Sequence, residues 1–152
     1  MFARTEDEWV FGDGEPIVTE DDGTEEMFVI QEGSVRVTKK VGEREVVLAT
    51  LERGDFFGEM SLLESMPRDA TCKAVGKTKV LAIRSGELLV KIRRDPTFAF
   101  EMLQKMSRRI RLLNKRVVQL LEEGGIPVDR VKNAILLSEY DTGDGKHDHG
   151  SA

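Results

Sequence analysis

The chain has 152 residues, of which 39% are hydrophobic and 34% charged, and it carries a net charge of -5 with a pI near 5.2. That length suits one domain, or one domain plus an appendage, and the acidic balance argues against non-specific DNA binding, whose affinity comes mainly from Lys and Arg on phosphates, while leaving room for a local basic patch. Cys72 is the single cysteine, which excludes an internal disulfide and fits a reducing, cytoplasmic setting.

The opening MFARTEDEW is acidic and lacks an apolar run, so no signal peptide is expected. No stretch reaches the length of a membrane-spanning helix. Residues 9 to 84 read as short strands separated by glycine turns. The expected strands are Trp9–Phe11, Pro16–Thr19, Met27–Gln31, Ser34–Lys39, Glu45–Leu51, Thr71–Val75 and Thr78–Arg84. Val35 and Val37 alternate with Arg36 and Thr38, the period of a half-buried strand. Closely spaced short strands point to a sandwich or barrel, a jelly roll among them. Cys72 reads as a strand residue rather than a reactive thiol, because no His lies near it in sequence.

The character changes at Ser85, which is placed to cap a short helix through Leu88, Leu89 and Ile92. Asp95 then offers an N-cap and Pro96 suits a first helical position. No Gly or Pro follows until Gly124-Gly125, so one helix of about seven turns is expected over 96–123. A third helical pattern runs from Pro127 to Tyr140, with Val128, Val131, Ile135 and Leu137 on its apolar side. The remaining DTGDGKHDHGSA is polar and Gly-rich and is expected to be a disordered tail over 141–152.

The long helix reads in heptads. Leu103, Ile110 and Val117 fall at one seam position, and Ala99, Met106, Leu113 and Leu120 at the other. Two β-branched residues at the first and Leu at the second favour a parallel two-stranded coiled coil, hence a homodimer through residues 99–120. The plainer reading is an amphipathic helix whose six cations between Lys105 and Arg116 form a solvated face.

The chemistry concentrates in Gly54 to Ala74, GDFFGEMSLLESMPRDATCKA. Gly58 permits close backbone approach. Glu59 through Leu63 can form one helical turn whose leading amides favour an anion. Arg68 offers a planar fork of donors suited to phosphate, and Glu59 offers acceptors suited to paired hydroxyls. A phosphate donor beside a hydroxyl acceptor implies a sugar phosphate or nucleotide. An ordinary turn beside a Glu59–Arg68 ion pair would use the same residues.

Phe57, Gly58, Glu59, Met60, Ser61, Leu62, Pro67, Arg68, Ala70 and Thr71 closely resemble the phosphate-binding cassette of cyclic nucleotide-binding domains. That family includes the bacterial catabolite activator protein and the regulatory subunits of cAMP-dependent kinase. The likeness extends over roughly residues 9 to 123. It implies an eight-stranded jelly roll over residues 1–95 followed by a dimerising helix, in a regulatory domain that is not an enzyme. It also implies a ligand, cAMP or cGMP. Glu59 would accept from the ribose 2′-hydroxyl, and Arg68 would pair with the cyclic phosphate. The amides near Gly58, Met60, Ser61, Asp69 and Ala70 would complete the anion site. Leu113 and Asn114 are the helix positions expected near the base.

Asp69 departs from the family pattern, which has Ala, Ser or Thr after the Arg. A carboxylate beside a phosphate is repulsive. Asp69 then points to solvent or a nearby cation, or accepts from a guanine edge, or weakens binding altogether. VDRVKNAILLSEY resembles the first helix of a helix-turn-helix unit, but no recognition helix follows, so either the sequence is a piece of a longer regulator or it is a stand-alone sensor whose expected output is an effector protein. Two other classes remain: a jelly-roll dimerisation module that binds no nucleotide, and a metal-dependent cupin. The cupin needs ligands inside the barrel, whereas the only histidines are His147 and His149, in the tail. No metal or cofactor is therefore expected.

Overall fold

A computed structural model describes residues 4–5 and 7–125 of the chain. The described residues form seven strands and three helices. The strands are β1 (Arg4–Thr5), β2 (Glu8–Phe11), β3 (Pro16–Val18), β4 (Met27–Val41), β5 (Arg44–Leu51), β6 (Phe56–Phe57) and β7 (Thr71–Ile83). The helices are α1 (Glu59–Glu64), α2 (Ser85–Arg94) and α3 (Pro96–Glu123). The chain divides into two units, Met1–Leu103 and Gln104–Ala152. The expected 127–140 helix and 141–152 tail lie outside the described residues.

Every strand pairs antiparallel in one sheet of order β1-β2-β7-β4-β5, with β3 also on β7 and β6 also on β4. Among the described residues seven strands stand where the resemblance implies eight. The short β1 and β6 are additional to the spans read from sequence, and four of those spans fuse into two because Gly33 and Gly76, which read as turns, each sit inside a continuous strand. Met27–Gln31 and Ser34–Lys39 fuse into β4, and Thr71–Val75 and Thr78–Arg84 fuse into β7. The β4–β7 register shifts between Ile30 and Ser34, which marks bulges where the pair bends. Gly33 holds φ +82, and a Cβ there would meet Lys77 O at 2.5 Å and Thr78 Oγ1 at 2.7 Å. A side chain at 33 would therefore push the strands apart. The fully buried Thr78 donates its hydroxyl to Ser34 O across the same bend, at 3.0 Å.

The bend gives the two halves of β4 different partners. Its first half pairs with β6, and its second half with β5. Inward residues from both halves, Phe28, Ile30 and Val35, build the core with Phe57 of β6 and Cys72, Ala74 and Val80 of β7. Phe28 stacks on Phe57 at 5.2 Å and meets Trp9 edge-on at 5.3 Å. Cys72 is a buried strand residue, as its sequence context predicts.

Helix boundaries follow local chemistry. α2 begins one step from expectation: Arg84, in extended backbone, holds the N-cap position and Ser85 is already helical. Glu87 decides this, because its carboxylate accepts the Arg84 N–H at 3.1 Å. Asp95 serves two helices. Its N–H closes α2 on Lys91 O at 2.8 Å, and its carboxylate accepts the Phe98 N–H at 3.3 Å to open α3. α3 matches the expected 96–123 span and ends at Gly124-Gly125, Gly125 holding φ +70. Leu103, Ile110, Leu113, Val117 and Leu120 stand exposed along it. Among the described residues, no helix is long and apolar enough to cross a membrane.

Candidate functional site

The segment singled out in sequence hangs from the core by two buried rings. Phe56 and Phe57 pair with Val29 and Phe28 of β4, so Gly58 leaves the sheet at a fixed point. Gly58 turns with φ +81, where a Cβ would meet Arg68 Nη1 and Glu26 O, each at 2.8 Å. Only a residue without a side chain lets Arg68 approach this closely. Glu59 opens α1 and is half-buried, Met60 is exposed, and Ser61 and Leu62 are buried beneath the turn. Ser65 ends α1 in a left-handed conformation, φ 53.

Arg68 is the centre of the arrangement. It is only 3% exposed. Its Nε donates to Thr24 Oγ1 at 3.2 Å, Nη1 to Gly58 O at 3.2 Å and Nη2 to Glu26 O at 2.7 Å. The Glu26 carboxylate lies 3.8 Å from Nη2, a loose ion pair. The guanidinium also sits 5.9 Å above the Phe28 ring. Burial holds its pKa below the usual arginine value, while Glu26 and Asp22 oppose that shift. The backbone is fixed as well: Asp21 N–H donates to Arg68 O and Arg68 N–H to Asp22 O, both at 2.9 Å. A buried cation held mostly by neutral acceptors keeps positive potential for an anion.

Asp69 follows on the exposed side. Lys39 Nζ reaches its Oδ1 at 2.8 Å and its backbone O at 3.0 Å. Of the placements open to Asp69, the structure has the nearby cation. Ala70 is half-buried and leads into Thr71, whose Oγ1 accepts the Glu20 N–H at 3.0 Å. Gly58, Glu59, Met60, Ser61, Arg68, Asp69 and Ala70 therefore belong to one corner of the first unit. Leu113, 64% exposed, and Asn114, half-buried, belong to α3 in the second unit. They are not among the residues that the Arg68 hydrogen bonds bring together.

Three participants escape sequence reasoning: Thr24, Glu26 and Lys39. A signal for the first two exists in EDDGTEE, residues 20–26, where five acidic residues crowd a short loop. Such a loop needs a cation nearby, and Arg68 supplies it. Lys39 gives no such signal, because it sits in an ordinary alternating strand.

A family model, the cyclic nucleotide-binding domain, matches residues 8–95. The cyclic AMP receptor protein of Thermus thermophilus is 35% identical over 103 residues, covering 67% of this chain and 48% of that protein. The cAMP-dependent protein kinase regulatory subunit of Yarrowia lipolytica is 43% identical over 70 residues, 46% of this chain and 18% of that protein. The crystal structure of Thermus thermophilus catabolite activator protein superposes with a TM-score of 0.66 at 32% identity, over 74% of this chain and 54% of that chain. The chain thus spans about half the length of the receptor protein and a smaller part of the kinase subunit. Mainly β architecture with C-terminal helices, an Arg-centred cassette corner and a family match across more than half the chain agree: this protein belongs to the cyclic nucleotide-binding domain family.

Proposed function

We propose that this domain is a regulatory sensor that binds cAMP at the Arg68 corner and signals through α3 to an effector protein in the cytoplasm. One observation carries the reading: a buried guanidinium stands against Gly58, and the ion pair it makes among the described residues, with Glu26 at 3.8 Å, is loose. The names of the receptor and kinase-subunit relatives support cAMP as first ligand. In this reading Arg68 takes the cyclic phosphate and Glu59 the ribose 2′-hydroxyl. The amides near Gly58, Met60, Ser61, Asp69 and Ala70 close the anion site. The exposed stripe of α3 pairs with a second copy through residues 99–120, and ligand shifts the population between two placements of that helix. cGMP is the competing ligand, read through Asp69.

A dimerisation module that binds no nucleotide is the second reading. The observation favouring it is that protein acceptors already engage Arg68 at Nε, Nη1 and Nη2. Thermal melting with and without each nucleotide separates the two. A ligand present at a hundred times its Kd stabilises the native state by about 2.7 kcal/mol. A melting temperature that rises with cAMP, and rises less in Arg68→Lys, supports the sensor. A temperature unmoved by millimolar cAMP and cGMP refutes it.

A further inference from the structure

We propose that Lys39 is a positioning residue for the anion site, drawing the Asp69 carboxylate away from the place a phosphate would take beside Arg68. The inference rests on the nucleotide reading above. Its starting point is a conflict. Arg68 is the phosphate donor, and the next residue carries a negative charge. The Arg68 backbone is clamped by Asp21 and Asp22, so Asp69 cannot leave the corner by a backbone shift. Only its side chain can turn.

The sheet supplies what turns it. β4 pairs Val37 with Cys72 and Thr38 with Thr71, so the next residue, Lys39, comes level with the segment just before β7. Alternation puts Lys39 on the face of β4 that carries Val35, fully buried, and Val37, packed on the core. From there its ammonium makes two bonds to one residue, Asp69 Oδ1 and Asp69 O. The carboxylate is 66% exposed, so water was an open alternative, yet it lies on Lys39. Glu20 and Asp21 also face this ammonium, and with Asp69 they raise its pKa, the Asp69 hydrogen bond most. Without Lys39, Arg68 becomes a nearby cation for the Asp69 carboxylate to seek. The corner would then hold a carboxylate where the ligand needs a phosphate.

The test is titration calorimetry with cAMP on the parent chain, Lys39→Ala, Lys39→Arg, Asp69→Ala and the double variant Lys39→Ala/Asp69→Ala. Lys39→Ala is expected to weaken binding about tenfold, the scale of one unscreened like charge near a partly exposed site. That loss should grow at low ionic strength. Lys39→Arg should bind like the parent, and the double variant should return to the level of Asp69→Ala. A loss from damaged structure would not be rescued by removing Asp69. A parent chain that gives no heat with cAMP or with cGMP overturns the nucleotide reading and this role with it. A binding parent matched by Lys39→Ala, or a double variant as weak as Lys39→Ala, overturns the role of Lys39 alone.

Discussion

Gly58→Ala offers a direct measure of how tightly the corner is built. Two effects act at once. At φ +81 an alanine pays the left-handed penalty, about 1 kcal/mol. Its methyl would also stand 2.8 Å from Arg68 Nη1 and 2.8 Å from Glu26 O. Neither neighbour yields easily, since one is backbone and the other belongs to a buried guanidinium. Relief means breaking at least one hydrogen bond to a charged group, about 1.5–3 kcal/mol. The sum is about 3 kcal/mol or more, which for a domain of this size lowers Tm by roughly 10 °C. Gly42→Ala is the control. Gly42 also has a positive φ, +64, but nothing lies within 4 Å of a Cβ there. It should lose only the left-handed penalty, about 1 kcal/mol. Paired urea melts of the two variants therefore isolate the collision as their difference. Equal losses would refute the close approach of Arg68 to Gly58. The collision also predicts weaker cAMP binding in Gly58→Ala and unchanged binding in Gly42→Ala.

Other outcomes follow from the same geometry. Phe28→Ala removes the ring between Trp9, Phe57 and the Arg68 guanidinium, and should cost about 3–5 kcal/mol in denaturant melts. Ile110→Asp places a charge in the exposed α3 stripe and should convert a dimer to a monomer in light scattering, while a monomeric parent at high concentration refutes the pairing role. Leu113→Ala and Asn114→Ala should each weaken cAMP binding if α3 contributes to the base site, measured by calorimetry. Glu45 accepts the Thr38 hydroxyl at 2.8 Å and stands 3.5 Å from Lys73, so its pKa lies below the ordinary 4.5. The folded state thus favours the ionised form. Its contribution is complete above pH 4.5 and is lost as pH falls through that value toward the lower folded pKa. Glu45→Gln should flatten the acid limb of a stability–pH profile, and an unchanged limb refutes the link.

The parts of the fold that were legible share one property: their signals are local. The span of α3 was readable because Pro96 and Gly124-Gly125 carry their backbone preferences wherever they occur. The approach of Arg68 to Gly58 was readable because the two lie within one short stretch. What failed depended on distant partners. Gly33 looks like a turn until Thr78 arrives across the sheet and makes it a bulge. Ser85 looks like a cap until the Glu87 carboxylate selects the Arg84 N–H instead. Thr24 and Glu26 meet Arg68 across more than forty residues of chain, a separation no local pattern records. Lys39 was hidden for the same reason, since its partner Asp69 sits thirty residues away.

Asp95 leaves the connection between α2 and α3 without slack. Its N–H finishes α2 and its carboxylate starts α3, so the joint between the two helices has no spare residue. A conventional linker absorbs an insertion by growing longer. This joint has nowhere to put one. A single extra glycine after Asp95 would leave either the end of α2 or the start of α3 without its hydrogen bond. Spacing here is thus as restrictive as residue identity, and insertions should be tolerated at the β4–β5 turn around Gly42 long before they are tolerated at 95–96.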